Sequence, residues 1–244
     1  MKETFESYTE AAKGKVKNTA SNTLVLAIFA GAFIAIAGVA STIGSYAVGN
    51  PSISKLISAL IFPIGLILVV LFKTELFTGN SLLVIPLINK EIKIKDLIKN
   101  LIIVYIGNLL GAIIVALMLK SAGHYDNQAY LETVLKIANT KVSYDFLKAF
   151  MLGVLCNILV CMAVLISFSV KTSGTKALVI YLPIFLFIML GLEHSVANMY
   201  YLAAGYINNG IGLKAVLANL IPVTLGNVVG GMGFGIIYYL VQKK

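Results

Sequence analysis

Leu71-Phe72-Lys73-Thr74-Glu75-Leu76-Phe77-Thr78-Gly79-Asn80-Ser81 places a lysine, a glutamate and a Thr-Gly-Asn triplet in the middle of an apolar stretch. From Leu56 to Asn89 that stretch runs 34 residues. A hydrocarbon layer of about 30 Å needs only about 20 residues of helix. It is therefore too long for one simple crossing, and its polar interruption falls near the middle. A membrane helix broken inside the bilayer accounts for both features, because free backbone groups are tolerated there only where protein or a water-filled passage receives them.

The surroundings establish the membrane. Of 244 residues, 59% are hydrophobic and 12% charged, with mean hydropathy +0.94, far from the balance of a water-soluble domain. Uncharged runs cover residues 18–54, 56–72, 100–119, 149–170, 177–192 and 215–242. The spacing predicts six spans: Asn22 to Thr42, a second from Ile57 through the interruption, Asn100 to Leu119, Lys148 to Val170, a fifth from Ala177, and Leu213 to Val241. The first run lacks a small-residue cleavage site and is read as a span, not a removable signal. Met1 to Asn18 carries Phe5, Tyr8 and Ala12 at helical spacing, which predicts an amphipathic helix at the membrane surface. The long connector 120–147 is expected to hold a surface helix around Asn127 to Ile137.

A second interruption, Glu193-His194-Ser195-Val196-Ala197-Asn198-Met199, divides span five. The two halves of the chain echo one another. Glu75 precedes Gly107-Asn108-Leu-Leu-Gly111, and Glu193 precedes Gly226-Asn227-Val-Val-Gly230, with glutamate-to-asparagine separations of 33 and 34 residues. Three spans per half make the second half enter the membrane upside down, so that two broken helices meet near the midplane. The expected fold is thus all-α: six transmembrane helices in two inverted three-helix repeats, helices two and five broken. Residues 1–18 are assigned to a terminal segment, 19–120 to the first repeat, 121–147 to an extracellular connector and 148–244 to the second repeat.

All 19 basic residues are lysines, and they sit at the ends of apolar runs. That distribution suits membrane topology and headgroups, without the arginine forks that read nucleic acid, so no nucleic-acid partner is expected. Lys2, Lys13, Lys15, Lys17, Lys90, Lys93, Lys95, Lys99, Lys171, Lys176, Lys243 and Lys244 fall on one side, against Lys55, Lys120, Lys136, Lys141 and Lys214 on the other. Both termini are therefore expected in the cytoplasm. No zinc-ligand cluster, nucleotide loop or nucleophilic triad occurs, which points away from an enzyme and from metals or cofactors. Cys156 and Cys161, inside an uncharged run, read as packing residues.

A half-helix beginning after Phe77-Thr78-Gly79 presents free N–H groups and a positive dipole end, which favour an anion. Thr78 supplies a hydroxyl donor, Gly79 allows close backbone approach, and His194 donates from a ring nitrogen. Glu75 and Glu193 are costly in hydrocarbon. They are expected to be structural, satisfying the broken helices and tied to backbone amides, to Lys73 or Lys148, or to water. Lys148 is expected to reach inward and concentrate anions. Gly107xxxGly111, Gly226xxxGly230 and Gly231xxxGly235 permit close helix packing.

The set Glu75-Leu76-Phe77-Thr78-Gly79-Asn80, Lys148 with Leu155-Cys156-Asn157, and Glu193-His194-Ser195-Val196-Ala197-Asn198-Met199 resembles the formate/nitrite transporter family over nearly the whole chain. That resemblance implies an aquaporin-like protomer, a homopentamer in the bacterial plasma membrane, and a separate conduit in each protomer. It implies a central polar pair, Thr78 and His194, with Asn157 and Asn227 nearby. It also implies a cytoplasmic-side constriction of Leu66, Leu76 and Phe187 and an outer one at Phe62. The pattern looks closest to the hydrosulfide channels of the family, with formate and nitrite the other substrates implied. Proton-coupled transport and an aquaglyceroporin-like neutral-solute channel are the competing readings; the paired Asn-Pro-Ala elements of the latter are absent.

Overall fold

The structure, a computed structural model, describes residues 2–242; Lys243 and Lys244, counted above, lie outside the described residues, and so does the Lys2 side chain. Among the described residues the secondary structure is helical, with no strand. In chain order the α-helices are α1 Lys2–Lys17, α2 Ala20–Ser45, α3 Pro51–Ile61, α4 Ile64–Leu71, α5 Phe77–Asn80, α6 Val84–Ile88, α7 Ile94–Ser121, α8 Gln128–Val142, α9 Phe146–Ser167, α10 Ser173–Met189, α11 Ser195–Ile207 and α12 Leu213–Gln242. Helix starts are set by local chemistry. Thr19, Asn50, Asn127, Asp145 and Thr172 each accept a backbone N–H of the first turn, and Pro51 follows Asn50 where its missing N–H is harmless.

Helices α2, α7, α9 and α12 cross whole, at 26, 28, 22 and 30 residues. The second span is α3 and α4 continued, after a break, by α5, a 3₁₀ turn (Ser81–Leu83) and α6; the fifth is α10 continued, after a break, by α11. The six spans and two broken helices expected from the sequence are present.

Two tight pairs, α2 with α7 and α9 with α12, frame the two halves. Their approach is backbone on backbone. A Cβ at Gly111 would run into the Ile28 carbonyl oxygen, and one at Gly226 into that of Phe150. The third glycine pair acts otherwise: Gly231 and Gly235 make room for Asn157, Ser81 and Val84, so they seat the first half-helix against α12.

The α1 helix forms as expected, but its apolar face docks on the protomer instead of lying on the bilayer. Tyr8 meets the Phe168 ring edge-on at 5.4 Å, and Phe5 stacks toward Tyr238 and lies tilted against Tyr239. These contacts define a terminal face that carries α1, the turns at 89–93 and 168–172, and the end of α12. The opposite, connector face carries 46–50, the whole of α8 and 207–212. Cys156 and Cys161 are free and buried in the core. Large apolar side chains such as Phe29, Ile36, Ile102, Ile106, Leu182 and Ile237 face outward, toward lipid or a neighbouring chain.

Candidate functional site

Both breaks are built alike. The α4 helix stops with Lys73 in the left-handed conformation (φ 52°), and the Thr74 N–H returns to the Val69 carbonyl. The α10 helix stops with Gly191 at φ 67°, and the Leu192 N–H returns to the Phe187 carbonyl. This is the 6→1 closure of a Schellman stop, which satisfies carbonyls that hydrocarbon would leave bare. The chain then crosses to a neighbouring span: the Glu75 N–H bonds the Leu26 carbonyl, and the Glu193 N–H that of Leu152.

An asparagine staples each break to the long helix beside it. Asn108 Oδ1 accepts the Phe77 N–H at 2.9 Å, while Nδ2 donates to the Ala27 and Glu75 carbonyls. Asn227 Oδ1 accepts the Ser195 N–H at 2.8 Å, while Nδ2 donates to the Gly153 and Glu193 carbonyls. The carboxylates correspond as well. Glu75 takes Asn80 Nδ2 and, at 3.0 Å, Lys15 Nζ from α1; Glu193 takes Asn198 Nδ2 and, at 2.9 Å, Lys141 Nζ from α8. Asn80 also donates to Asn100, and Asn198 to Asn219. In this bonding α1 stands to the first repeat as α8 stands to the second.

The two breaks meet at Thr78 and His194, whose Oγ1 and Nε2 lie 2.8 Å apart across 116 residues of sequence. His194 Nδ1 accepts the Ala197 N–H and so caps α11. A nitrogen that accepts carries no proton, so the ring proton sits on Nε2 and is donated to Thr78. The Thr78 hydroxyl proton is thereby left to point elsewhere. Asn157 closes the centre. Its Nδ2 donates to the Thr78 and Asn227 carbonyls and contacts Ser81 Oγ, while its buried Oδ1 has no partner among the described residues. Cys161, one turn on, directs its thiol at the same Thr78 carbonyl.

From the connector face a cavity of about 520 Å³ leads to this centre. Phe62 and Phe187 meet edge-to-face at 5.5 Å in its lining, and Phe187 lies 5.9 Å from the His194 ring. Lys55, Lys136 and Lys141 line its wall, with Glu193 the sole carboxylate among the lining residues. Tyr144 stands in the wall beneath the Lys148 ammonium, 4.1 Å from the ring centroid. Burial and the Glu193 charge push its phenol up, so it stays a protonated donor.

Several expected placements change. Lys148 is exposed, held on Tyr144, and does not reach the polar centre; the inward lysine is Lys141, seven residues earlier and at the end of α8. Among the described residues neither Lys73 nor Lys148 pairs with a glutamate, and the half-helix amides are met by asparagine oxygens instead of carboxylates. Phe187 stands with Phe62 on the connector side, because α10 rises from the terminal face and ends there. Leu66 and Leu76 are buried and lie outside that cavity's lining. Asn227 spends its whole amide on the staple. A Cβ at Gly79 would meet only Val164, at an ordinary 3.5 Å, so packing does not demand glycine there. Lys15, Asn80, Asn100, Asn198 and Asn219 escaped the sequence reading of the site. The repeated spacings Glu75 to Asn80 with Glu193 to Asn198, and Asn100 to Asn108 with Asn219 to Asn227, were the signal that marks four of them.

Opposed broken helices joined at a buried polar pair, inside a six-span all-α protomer, define the aquaporin-like class of membrane channels and transporters. The chain belongs to the formate/nitrite transporter family, whose sequence profile matches residues 2–241. It is 37% identical to the formate channel FocA of Haemophilus influenzae over 228 residues, 84% of this chain and 80% of that one. Among solved structures, one described as an FNT family ion channel superposes with a TM-score of 0.90 at 28% identity, covering 99% of both chains. Another, described as a pentameric formate channel with formate bound, gives a TM-score of 0.83 at 34% identity over 92% of this chain and 98% of that one. Members of this family are channels and transporters, and the chain is one of these and not an enzyme.

Proposed function

We propose that the chain conducts small monovalent weak-acid anions across the bacterial plasma membrane, with formate first among them, as a homopentamer with one conduit per protomer and its terminal face in the cytoplasm. The relatives named above for a substrate are named for formate. The lysine excess on the terminal side supports the orientation.

The observation that carries this reading is the 2.8 Å Thr78–His194 contact where the two breaks meet, reached from a lysine-lined cavity. Lys55 and Lys136 raise the local anion concentration at the mouth. The Phe62–Phe187 pair and the buried Leu66 and Leu76 oppose a hydrated ion, since shedding water from a charge costs far more than from a neutral acid. At the centre, His194 Nε2–H polarises the Thr78 hydroxyl, which donates to the anion. The unpaired Asn157 Oδ1 takes a donor, such as the O–H of the neutral acid. Because Nδ1 is committed to capping α11, His194 orients and polarises; it does not carry a second proton. The proton that neutralises the permeant then arrives with it from solvent.

Hydrosulfide, the substrate suggested by sequence resemblance, is also a monovalent weak acid and meets the same physical demands. A flux panel in reconstituted vesicles separates the two. Formate, nitrite, hydrosulfide, chloride and glycerol are compared under set voltage and pH gradient, with Thr78→Ala and His194→Ala as controls. Formate flux that both substitutions abolish supports the proposal. Glycerol flux without anion flux sinks it, and hydrosulfide far above formate reassigns the substrate.

A further inference from the structure

The connector-side cavity is far larger than the small anions proposed to pass beyond it, and its charge is not balanced. Three lysines and one glutamate line it. Lys141 is taken by Glu193 at 2.9 Å, yet neither Lys55 nor Lys136 has a carboxylate within ion-pair distance among the described residues. The surplus is therefore two positive charges facing one concave space. Tyr144 adds a phenolic O–H in the same wall, and Lys148 above it adds a further positive charge at the rim. The serines opposite are already committed: Ser41, Ser45 and Ser54 donate to backbone carbonyls, and Ser58 donates to Ser45.

We infer that this cavity binds a divalent oxyanion of the sulfate or hydrogenphosphate class, held by Lys55 and Lys136, and that the bound ion obstructs this mouth of the conduit. Two ammonium groups with no carboxylate at ion-pair distance among the described residues match a doubly charged ligand, and each brings three donors to an ion rich in acceptors. Such an ion stays in the cavity. Passage beyond Phe62 and Phe187 requires losing hydration from two charges, and capture of one proton still leaves it charged, whereas one proton makes formate neutral. A phosphodiester lipid headgroup carries one charge and is anchored outside the protomer, so the occupant is a free ion. The obstruction rests on the transport reading above; the binding site does not.

Equilibrium dialysis of radiolabelled sulfate against the purified detergent-solubilised oligomer, at ionic strength held constant with chloride, tests the site directly. Saturable binding near one sulfate per protomer is expected, weakened about two- to fivefold by Lys55→Gln or Lys136→Gln, the size of one partly exposed charge contact. Lys214→Gln, on the same face but outside the cavity, should leave it unchanged, and added phosphatidylglycerol should not displace the sulfate. In vesicles, sulfate on the connector side should slow formate flux and sulfate on the other side should not. Absence of saturable binding at tens of millimolar, or equal weakening by Lys214→Gln, overturns the site. Displacement of sulfate by the lipid does so too, because the occupant is then a headgroup. Sulfate binding in a protein that passes no formate upholds the site while defeating the transport reading. Formate flux without sulfate binding does the reverse.

Discussion

Lys141 and Glu193 form an ion pair whose carboxylate is 3% exposed and whose lysine is 14% exposed. Removing one partner leaves a nearly buried charge without its counter-ion. Lys141→Gln is expected to destabilise the protein by about 3–5 kcal/mol, read as a lower midpoint of thermal unfolding in detergent. Lys141→Met combined with Glu193→Leu should recover most of that loss, because both charges then leave together. Lys15→Gln should act in the same direction but less, since Lys15 is 24% exposed and water can enter beside Glu75. At the polar centre, Thr78→Val removes the acceptor of His194 Nε2–H and the donor facing the conduit. Formate flux should fall by about tenfold or more, in keeping with about 1–3 kcal/mol for an orphaned buried donor, while Thr78→Ser keeps most of it. Vesicle efflux traces check both. The glutamates could be found in the sequence because charges inside apolar runs stand out. Their lysines could not, because Lys15 and Lys141 lie 60 and 52 residues away and nothing in the linear pattern distinguishes them from other lysines.

Each broken helix is an element held in place by its neighbour. Asn108 and Asn227 satisfy the backbone groups that the breaks expose, so the long helices α7 and α12 act as struts for the half-helices. The α9–α12 contact in turn depends on carbonyl oxygens lying where a side chain would be. Gly226→Val should therefore push α12 from Phe150 and cost about 1–3 kcal/mol or more, seen as aggregation or a lost oligomer peak on size exclusion. Gly79→Ala offers the contrast. Its new methyl meets only Val164 at 3.5 Å, so the unfolding midpoint should stay near that of the parent. The positions and spacing of the breaks were legible in the sequence, as was the Gly-Asn repeat. The roles inside the repeat were not: Asn227, expected beside the central polar pair of the conduit, is saturated by backbone, and only the fold shows which atoms each amide reaches.

At the scale of the molecule, inverted repeats place Lys15 and Glu75 near one face and Lys141 and Glu193 near the other, so that opposed breaks share one centre. The proposed orientation makes a direct prediction. With both native cysteines buried, Ser169→Cys in the 168–172 turn should react with a membrane-impermeant maleimide only from the cytoplasmic side, and Gly49→Cys in the 46–50 turn only from outside. The reverse labelling pattern would invert the assignment. By itself the sequence determined the solvent, the six spans, the two breaks and their duplication, because the bilayer imposes length and hydropathy rules that a linear text records directly. Tertiary structure alone decided that Lys141 and not Lys148 faces inward, that Phe187 joins Phe62, and that Thr78 meets His194 while Asn157 keeps a free oxygen. Those outcomes depend on which helices lie side by side and on how each is rotated about its axis, and no spacing along the chain encodes either.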